Sequence, residues 1–406
     1  MTEATPGIDP DCGVADDFPH VCLVAGEHSG DHMAGLLMKA LADRLDGRVR
    51  FSGVGGGEMI AAGGDKGFDS FFPMEEIAIA GIFEIIPHIP NVLRRINQSA
   101  ERIKALKPDV VITIDSPEFS FRLGNKLSRT NILHVHYVAP TVWAWRPKRA
   151  KMISGFLEHL LTILPFEAPY FEKWGLDCTF VGNPVVEMNL DQGDGPGFRK
   201  KHGLGRDQLV LSVLPGSRLS EVRSLLPIFK QAVDIIKRRV PDLAVVVPTV
   251  GTVADEVKAA VSDWPVPVIV TETINAKRDV FAASNVALAA SGTVTSELAM
   301  AGVPMVIAYR VAPLSALLIR MMTKVKYVSI VNMVLGREVS PEFIQENCTG
   351  PKIAKALGDL LCDADALRAQ RDALAEVGDK LGRHLAPSSE TAAGVILKIL
   401  EKKNAL

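Results

Sequence analysis

The chain has no cysteines in a C-x-x-C arrangement. Its five, Cys12, Cys22, Cys178, Cys348 and Cys362, are scattered and odd in number. That excludes a sequence-evident disulfide framework or zinc site and fits a reducing compartment. No window reaches the roughly 18 uninterrupted apolar residues of a membrane span. The nearest approach, Ile77 to Ile96, is broken by Glu84, Pro87, His88 and Pro90. An excess of one charge is also missing: 45 Lys and Arg face 47 Asp and Glu, a net charge of -2. No global field therefore draws the chain to nucleic acid or an anionic bilayer, and any such contact must come from a local patch. Met1 to Pro19 carries Glu3, Asp9, Asp11, Asp16 and Asp17 with no Lys, Arg or apolar stretch. That is the opposite of a signal peptide and reads as a disordered tail.

What is present is a folded-protein composition, 48% apolar and 23% charged over 406 residues, long enough for two domains of about 200 residues. Short apolar runs alternate with helical patterns: VCLVA, VRFSGV, DVVITID, ILHVHYV, HLLTIL and CTFVG, then LVLSVL, LAVVVP, VPVIVT, VALAAS and VPMVIAY. Such alternation predicts parallel α/β sheets. The polar, glycine-rich stretch 189–208 between the two series reads as a linker. The expected division is a tail over 1–19, Rossmann-like domains over 20–188 and 209–362 flanking the 189–208 linker, and C-terminal helices over 363–406 that pack back on the first domain. Ligands would meet the carboxyl ends of the strands.

Four stretches carry candidate chemistry. In "VCLVAGEHSGDHMAG", Val21 to Ala25 reads as a covered strand and Asp31 to Leu45 as a helix, so Gly26 to Gly30 is a strand-to-helix loop. "VVITIDSPEFSF" puts Asp115 at the end of a buried strand with Glu118 one turn later; Asp115 is either a general base or the cap of a Ser-Pro turn. "VLSVLPGSRLSEV" and "NVALAASGTVTSELAM" are strand-turn-helix units whose helix starts suit a phosphate, helped by Arg218. Glu297, further along the second helix, could accept hydrogen bonds from ribose hydroxyls or be a solvated surface acid. "HYVAPTVWAWRPKRAKM" joins Trp143, Trp145, Arg146, Lys148 and Arg149, a composition for an amphiphilic anion or a bilayer interface; no nucleic-acid fold signature accompanies it.

Other patterns fail on spacing. "GVGGGEM" lacks the third glycine of a dinucleotide fingerprint, and "GEHSG" is not a nucleophile elbow. The pairs His28/His32 and His134/His136 have no third ligand nearby. The D-x-D strings at Asp9 and Asp363 lie in a tail and between helices, so no metal site is expected.

Taken together, "VAGEHSGD", "MEEIAIAGIFEIIP", "PDVVITIDSPEF", "HYVAPTVWAWR", "LPFEAPYF", "FVGNP", "LPGSR", "ASGTVTSELAM" and "YVSIVNMVLGREVSPEFIQ", in this order from Val21 onward, resemble the lipid-A-disaccharide synthase family. The resemblance implies an α/β GT-B fold, two Rossmann-like domains with a deep interdomain cleft, and inverting glycosyl transfer. The implied substrates are UDP-2,3-diacylglucosamine and 2,3-diacylglucosamine 1-phosphate, with no cofactor or metal. It implies Asp115 as base, and Ser217, Arg218, Ser291, Gly292, Thr293, Glu297, Asn332 and Gln345 on the donor side. Glu27, Ser29, Gly30, Asp31, Glu118, Trp143 and Arg146 are the acceptor-side candidates. The chain departs from the family pattern at Glu118, Asn183, Val331 and His28. Ile77 to Ile96 and Pro313 to Val328 join apolar residues to Arg94, Arg95, Arg320, Lys324 and Lys326, the makeup of a peripheral contact with an anionic leaflet or, alternatively, of buried-core helices. The expected location is the cytoplasm, peripherally on the inner face of the cytoplasmic membrane, with a homodimer as one expected assembly. Competing readings are a UDP-sugar epimerase, a polyprenyl-linked glycosyltransferase, or a noncatalytic UDP-sugar sensor.

Overall fold

The structure is a computed structural model that describes residues 18–64, 67–78, 88–272, 274–311 and 326–404. The tail up to residue 17, positions 79–87 of the Ile77 to Ile96 run, and positions 313–325 of the Pro313 to Val328 run lie outside the described residues.

Strands and helices alternate as the apolar runs predict. The first series is β1 (His20–Ala25), α1 (His28–Arg44), β2 (Arg50–Val54), α2 (Gly57–Gly63), α3 (Ile89–Leu106), β3 (Val110–Ile114) and α4 (Pro117–Leu127). It continues with β4 (Leu133–Tyr137), α5 (Lys148–Ile153), β5 (His159–Thr162), α6 (Pro169–Glu172) and β6 (Asp177–Phe180). The second series is α7 (Gly195–Lys201), β7 (Val210–Leu214), α8 (Leu219–Lys237), β8 (Ala244–Pro248), α9 (Ala254–Val261), β9 (Val268–Thr271), α10 (Ile274–Ala283), β10 (Val286–Ala290) and α11 (Thr293–Met300). It ends with β11 (Met305–Tyr309), α12 (Ile330–Leu335), β12 (Glu342–Ile344), α13 (Gly350–Cys362), α14 (Ala364–Lys380) and α15 (Ser388–Asn404). Two parallel six-stranded sheets result, ordered β2-β1-β3-β4-β5-β6 and β12-β11-β10-β7-β8-β9. Contacts divide the chain into two compact units, Met1–His136 with Ile396–Leu406, and Tyr137–Val395.

In the second unit the strand period of two is visible in the packing. Leu211, Val213, Val245, Val247, Leu288 and Val306 enter one apolar cluster. Their neighbours Val210, Ala244, Val246, Ala287, Met305 and Ile307 enter another. Both faces of the sheet are thus covered, which is why these strands read as unbroken apolar runs. In the first unit, α3 buries Ile96, Ala100 and Ile103, one stripe at helical spacing, into a cluster with Val24, Val111 and Leu123. Truncating a fully buried member such as Leu123 or Leu288 to alanine costs about 2–5 kcal/mol.

Two local readings differ from the structure. Helix α1 starts at His28, before the predicted Asp31, because Glu27 is an extended N-cap (φ -160°, ψ 165°) whose carbonyl accepts the Asp31 N–H at 2.9 Å. The stretch read as linker contains α7. The Asp194 side chain caps it by accepting the Gly197 N–H at 2.8 Å, and Arg199 binds the carbonyls of Ala283 and Gln208 at 2.6 and 2.7 Å. Strand β12, three residues on β11, was hidden inside the "PEFIQ" motif.

Candidate active site

In the first unit, β1 and β3 end at two loops that meet. A Cβ built on Gly26 would lie 2.3 Å from Ser116 Oγ, so glycine here leaves room for the Ser116 side chain. Asp115 and Ser116 both hold left-handed φ, 50° and 45°, a conformation costing non-glycine residues about 1 kcal/mol or more each. Asp115 relieves part of it by accepting the Ser116 N–H on its own Oδ1 at 2.9 Å. Pro117, with its preset φ, opens α4 just beyond. Burial pushes the Asp115 carboxyl up to about 6, the negative charge of Glu27 adds to the rise, and the Ser116 N–H opposes it. A carboxylate so tuned is suited to taking a proton near neutral pH.

The other acceptor-side candidates in this unit divide. Glu27 belongs with Asp115 through its charge. Ser29 is exposed in the first turn of α1, and Glu118 is exposed in the first turn of α4. Gly30 packs on β3, where a Cβ would sit 3.4 Å from the Ile114 carbonyl oxygen. Asp31 is buried and caps α2: its carboxylate accepts the N–H groups of Gly56, Glu58 and Met59 at 2.7, 3.0 and 3.2 Å.

Trp143 and Arg146 lie in the second unit. The Trp143 indole N–H donates to Glu167 Oε1 at 3.4 Å and its ring packs edge-on against Phe166 at 5.4 Å. Glu167, buried, also accepts the Leu164 N–H at 3.0 Å. Burial lifts its carboxyl to about 7 against these hydrogen bonds. The Arg146 guanidinium stacks over Trp145 at 4.4 Å. Asn183 is a buried cap whose side chain accepts the Val185 N–H at 3.1 Å.

At the carboxyl ends of β7 and β10 the second unit has an open pocket of about 480 Å³. Ser217, Arg218, Ser291, Gly292, Thr293 and Glu297, six of the eight predicted donor residues, line it together. Gly216, at φ 108°, makes the turn after β7. Arg218 is the N-cap of α8 and pairs with Glu221 at 3.1 Å. Gly292 is the N-cap of α11, whose unpaired N–H groups and positive dipole end suit an anion. Lys277, which no sequence motif marks, also lines the pocket and sits 2.5 Å from Glu297 Oε2.

The remaining two donor candidates do not line this pocket. Asn332 is buried, its Oδ1 accepting the N–H groups of Val339 and Ser340 at 2.7 and 3.0 Å. Its amide donates to Ser340 O and Glu342 Oε1, both at 2.8 Å. Gln345, at φ 53°, faces the backbone N–H and carbonyl of Val311 at 3.3 Å each. Among the described residues, no group of three or more His, Cys, Asp or Glu is placed to hold a metal ion.

A family model described as lipid-A-disaccharide synthetase matches residues 21–396. The lipid-A-disaccharide synthase of Rhodospirillum centenum is 48% identical over 385 residues, 94% of this chain and 95% of that protein. Among solved structures, the S. aureus MnaA-UDP co-structure superposes with a TM-score of 0.63 at 13% identity, over 95% of this chain and 97% of its own. The glycotransferase of kitacinnamycin gives 0.63 at 16%, over 94% and 99%. The structural likenesses establish the GT-B fold, and the sequence matches decide the family: the chain belongs to the lipid-A-disaccharide synthases.

Proposed function

We propose that the chain transfers the diacylglucosaminyl group of UDP-2,3-diacylglucosamine to the 6-hydroxyl of 2,3-diacylglucosamine 1-phosphate. The observation that carries the reading is the convergence of six family-matched residues on one pocket of the second unit, in a chain that the family model matches from 21 to 396. Asp115 takes the proton of the acceptor hydroxyl. The oxygen attacks the anomeric carbon from the face opposite UDP, and the bond to the diphosphate oxygen breaks with its electrons going to UDP. Configuration is inverted. Arg218 and the start of α11 stabilise the charge gathering on the leaving diphosphate, as cations and helix termini do.

In this reading the 20–188 half serves the acceptor and the 209–362 half the donor, and Trp143, held by Glu167, belongs to the acceptor side. The protein works on lipid substrates at an anionic membrane face. Ile89 and Leu93 of α3, 41% and 40% exposed beside Arg94, support such a contact.

The test is purified protein with both lipids in detergent, followed by mass spectrometry. UDP release that needs the acceptor, with one disaccharide 1-phosphate formed per UDP, is the expected result. UDP release without acceptor, or epimerised donor, would replace the reading with a hydrolase or an epimerase.

A further inference from the structure

Three ion pairs stand around the donor pocket: Arg218 with Glu221, Lys258 with Glu272, and Lys277 with Glu297. They differ in how far they are withdrawn from water. The Arg218 and Lys258 side chains are 61% and 50% exposed, and such pairs hold their geometry weakly. Lys277 is 26% and Glu297 12% exposed. Glu297 Oε2 is inaccessible to solvent and makes no hydrogen bond; the Lys277 ammonium, 2.5 Å away, is its ionic partner. Glu297 itself lines the cavity. Lys277 comes from α10 and Glu297 from α11, so the contact ties two helices at the pocket wall.

We propose that Lys277 is a specificity-determining positioning residue: by holding Glu297 Oε2 it turns Oε1 into the pocket as the acceptor for the vicinal hydroxyls of the donor's ribose. A carboxylate oxygen offers two lone-pair directions, enough for neighbouring hydroxyls once its rotation is stopped. The alternative use of Lys277, as a ligand of the diphosphate, would require it to leave Glu297. That would leave a buried carboxylate oxygen without its counter-charge, the costlier arrangement. The proposal rests on the donor-pocket reading, in which Glu297 meets the ribose, and adds the residue that positions it.

The experiment compares binding of UDP, uridine and 2′,3′-dideoxy-UDP to the full chain by calorimetry, in wild type, Lys277→Met, Glu297→Gln and the double variant, with circular dichroism as the folding check. Lys277→Met should weaken UDP and uridine about 10-fold each and leave dideoxy-UDP within about twofold. The double variant should lose no more than Glu297→Gln alone, since the two act as a unit. Lys277→Gln, which keeps a donor for Oε2, should fall between wild type and Lys277→Met, and it carries the test if the methionine variant unfolds. Equal losses for UDP and dideoxy-UDP, or a loss confined to UDP with uridine spared, overturn the proposal. Wild type that fails to bind UDP is a different result and removes the donor-pocket reading itself.

Discussion

Asn332 and Glu342 are joined by an Nδ2–H···Oε1 hydrogen bond of 2.8 Å, and the same carboxylate gathers the start of α12. Its Oε1 also accepts the Ser329 N–H and Oγ–H at 2.9 and 2.5 Å, and Oε2 accepts the Val328 N–H at 2.9 Å. The Val328 carbonyl in turn accepts from Ser291 Oγ at 3.4 Å, a residue of the donor pocket. Glu342→Ala strips four donors of their acceptor at once, two of them on the buried Ser329. We expect a stability loss of about 2–4 kcal/mol in urea unfolding and a rise in the donor's KM larger than the fall in kcat. A variant as stable as wild type would show that the network is not what holds this segment.

Asp115→Asn separates stability from activity. The folded carboxyl keeps its proton up to about 6, whereas its ordinary value is 3.8. Below about pH 4 both states are protonated and the group costs nothing. As pH rises to 6 the unfolded chain ionises first, so the wild type loses stability, by about 2–3 kcal/mol once above pH 6. Asparagine has no such cost. The variant should match wild type near pH 4, exceed it at pH 7, bind UDP normally, and lose at least about 100-fold in turnover. Retained turnover would remove Asp115 from the chemistry.

The Glu27 charge is the second cause of the raised Asp115 carboxyl, after burial. The acid limb of kcat/KM should therefore lie near pH 6 in wild type and move to lower pH in Glu27→Gln, since removing a nearby negative charge favours ionisation of the neighbour. An unmoved limb would assign it to a different group, or the rise to burial alone.

The central strands were legible because both of their faces are covered: runs such as Val245 to Val247 leave no polar position to confuse the period. The pocket turns were legible for a local reason, since "PGSR" and "SGT" place a helix start directly after a buried strand. Nonlocal partnerships were not. Helix α7 opens Gly195-Pro196-Gly197, which reads as a turn, and depends on Arg199 reaching Ala283. Asp31 read as an acceptor-side candidate because the α2 N–H groups it caps come 25 residues and more later. Lys277 had no motif to mark it, and its role arises only where α10 brings it against Glu297. Glu342 and Glu167 stood inside quoted motifs, but only the fold shows which backbone groups their carboxylates hold.

Arg218 and the α11 start, rather than a divalent cation, are assigned the leaving diphosphate. Turnover should survive EDTA, and Arg218→Ala should lower kcat by about 100-fold or more, the scale seen when one transition-state donor is removed. Its exposed pair with Glu221 contributes little to folding, so the melting temperature should barely change. Activity abolished by EDTA and restored by Mg²⁺ or Mn²⁺ would overturn this assignment.

The acyl chains decide whether the substrate is a lipid. Each methylene moved from water to an apolar site contributes about 0.8 kcal/mol, so a site built for acyl chains discriminates against their absence far more than any single exposed hydrogen bond can. Unacylated UDP-N-acetylglucosamine with its sugar phosphate should show a kcat/KM lower by several powers of ten in detergent. On vesicles, burying Ile89 and Leu93 at about 1.5–3 kcal/mol each gives reversible attachment, strengthened by Arg94 on anionic lipid. Pelleting with anionic vesicles should fall in high salt and in a Leu93→Asp variant. Equal efficiency on acylated and unacylated pairs would assign the pocket to a water-soluble sugar nucleotide. Vesicle binding indifferent to salt, lipid charge and Leu93→Asp would move the membrane contact away from α3.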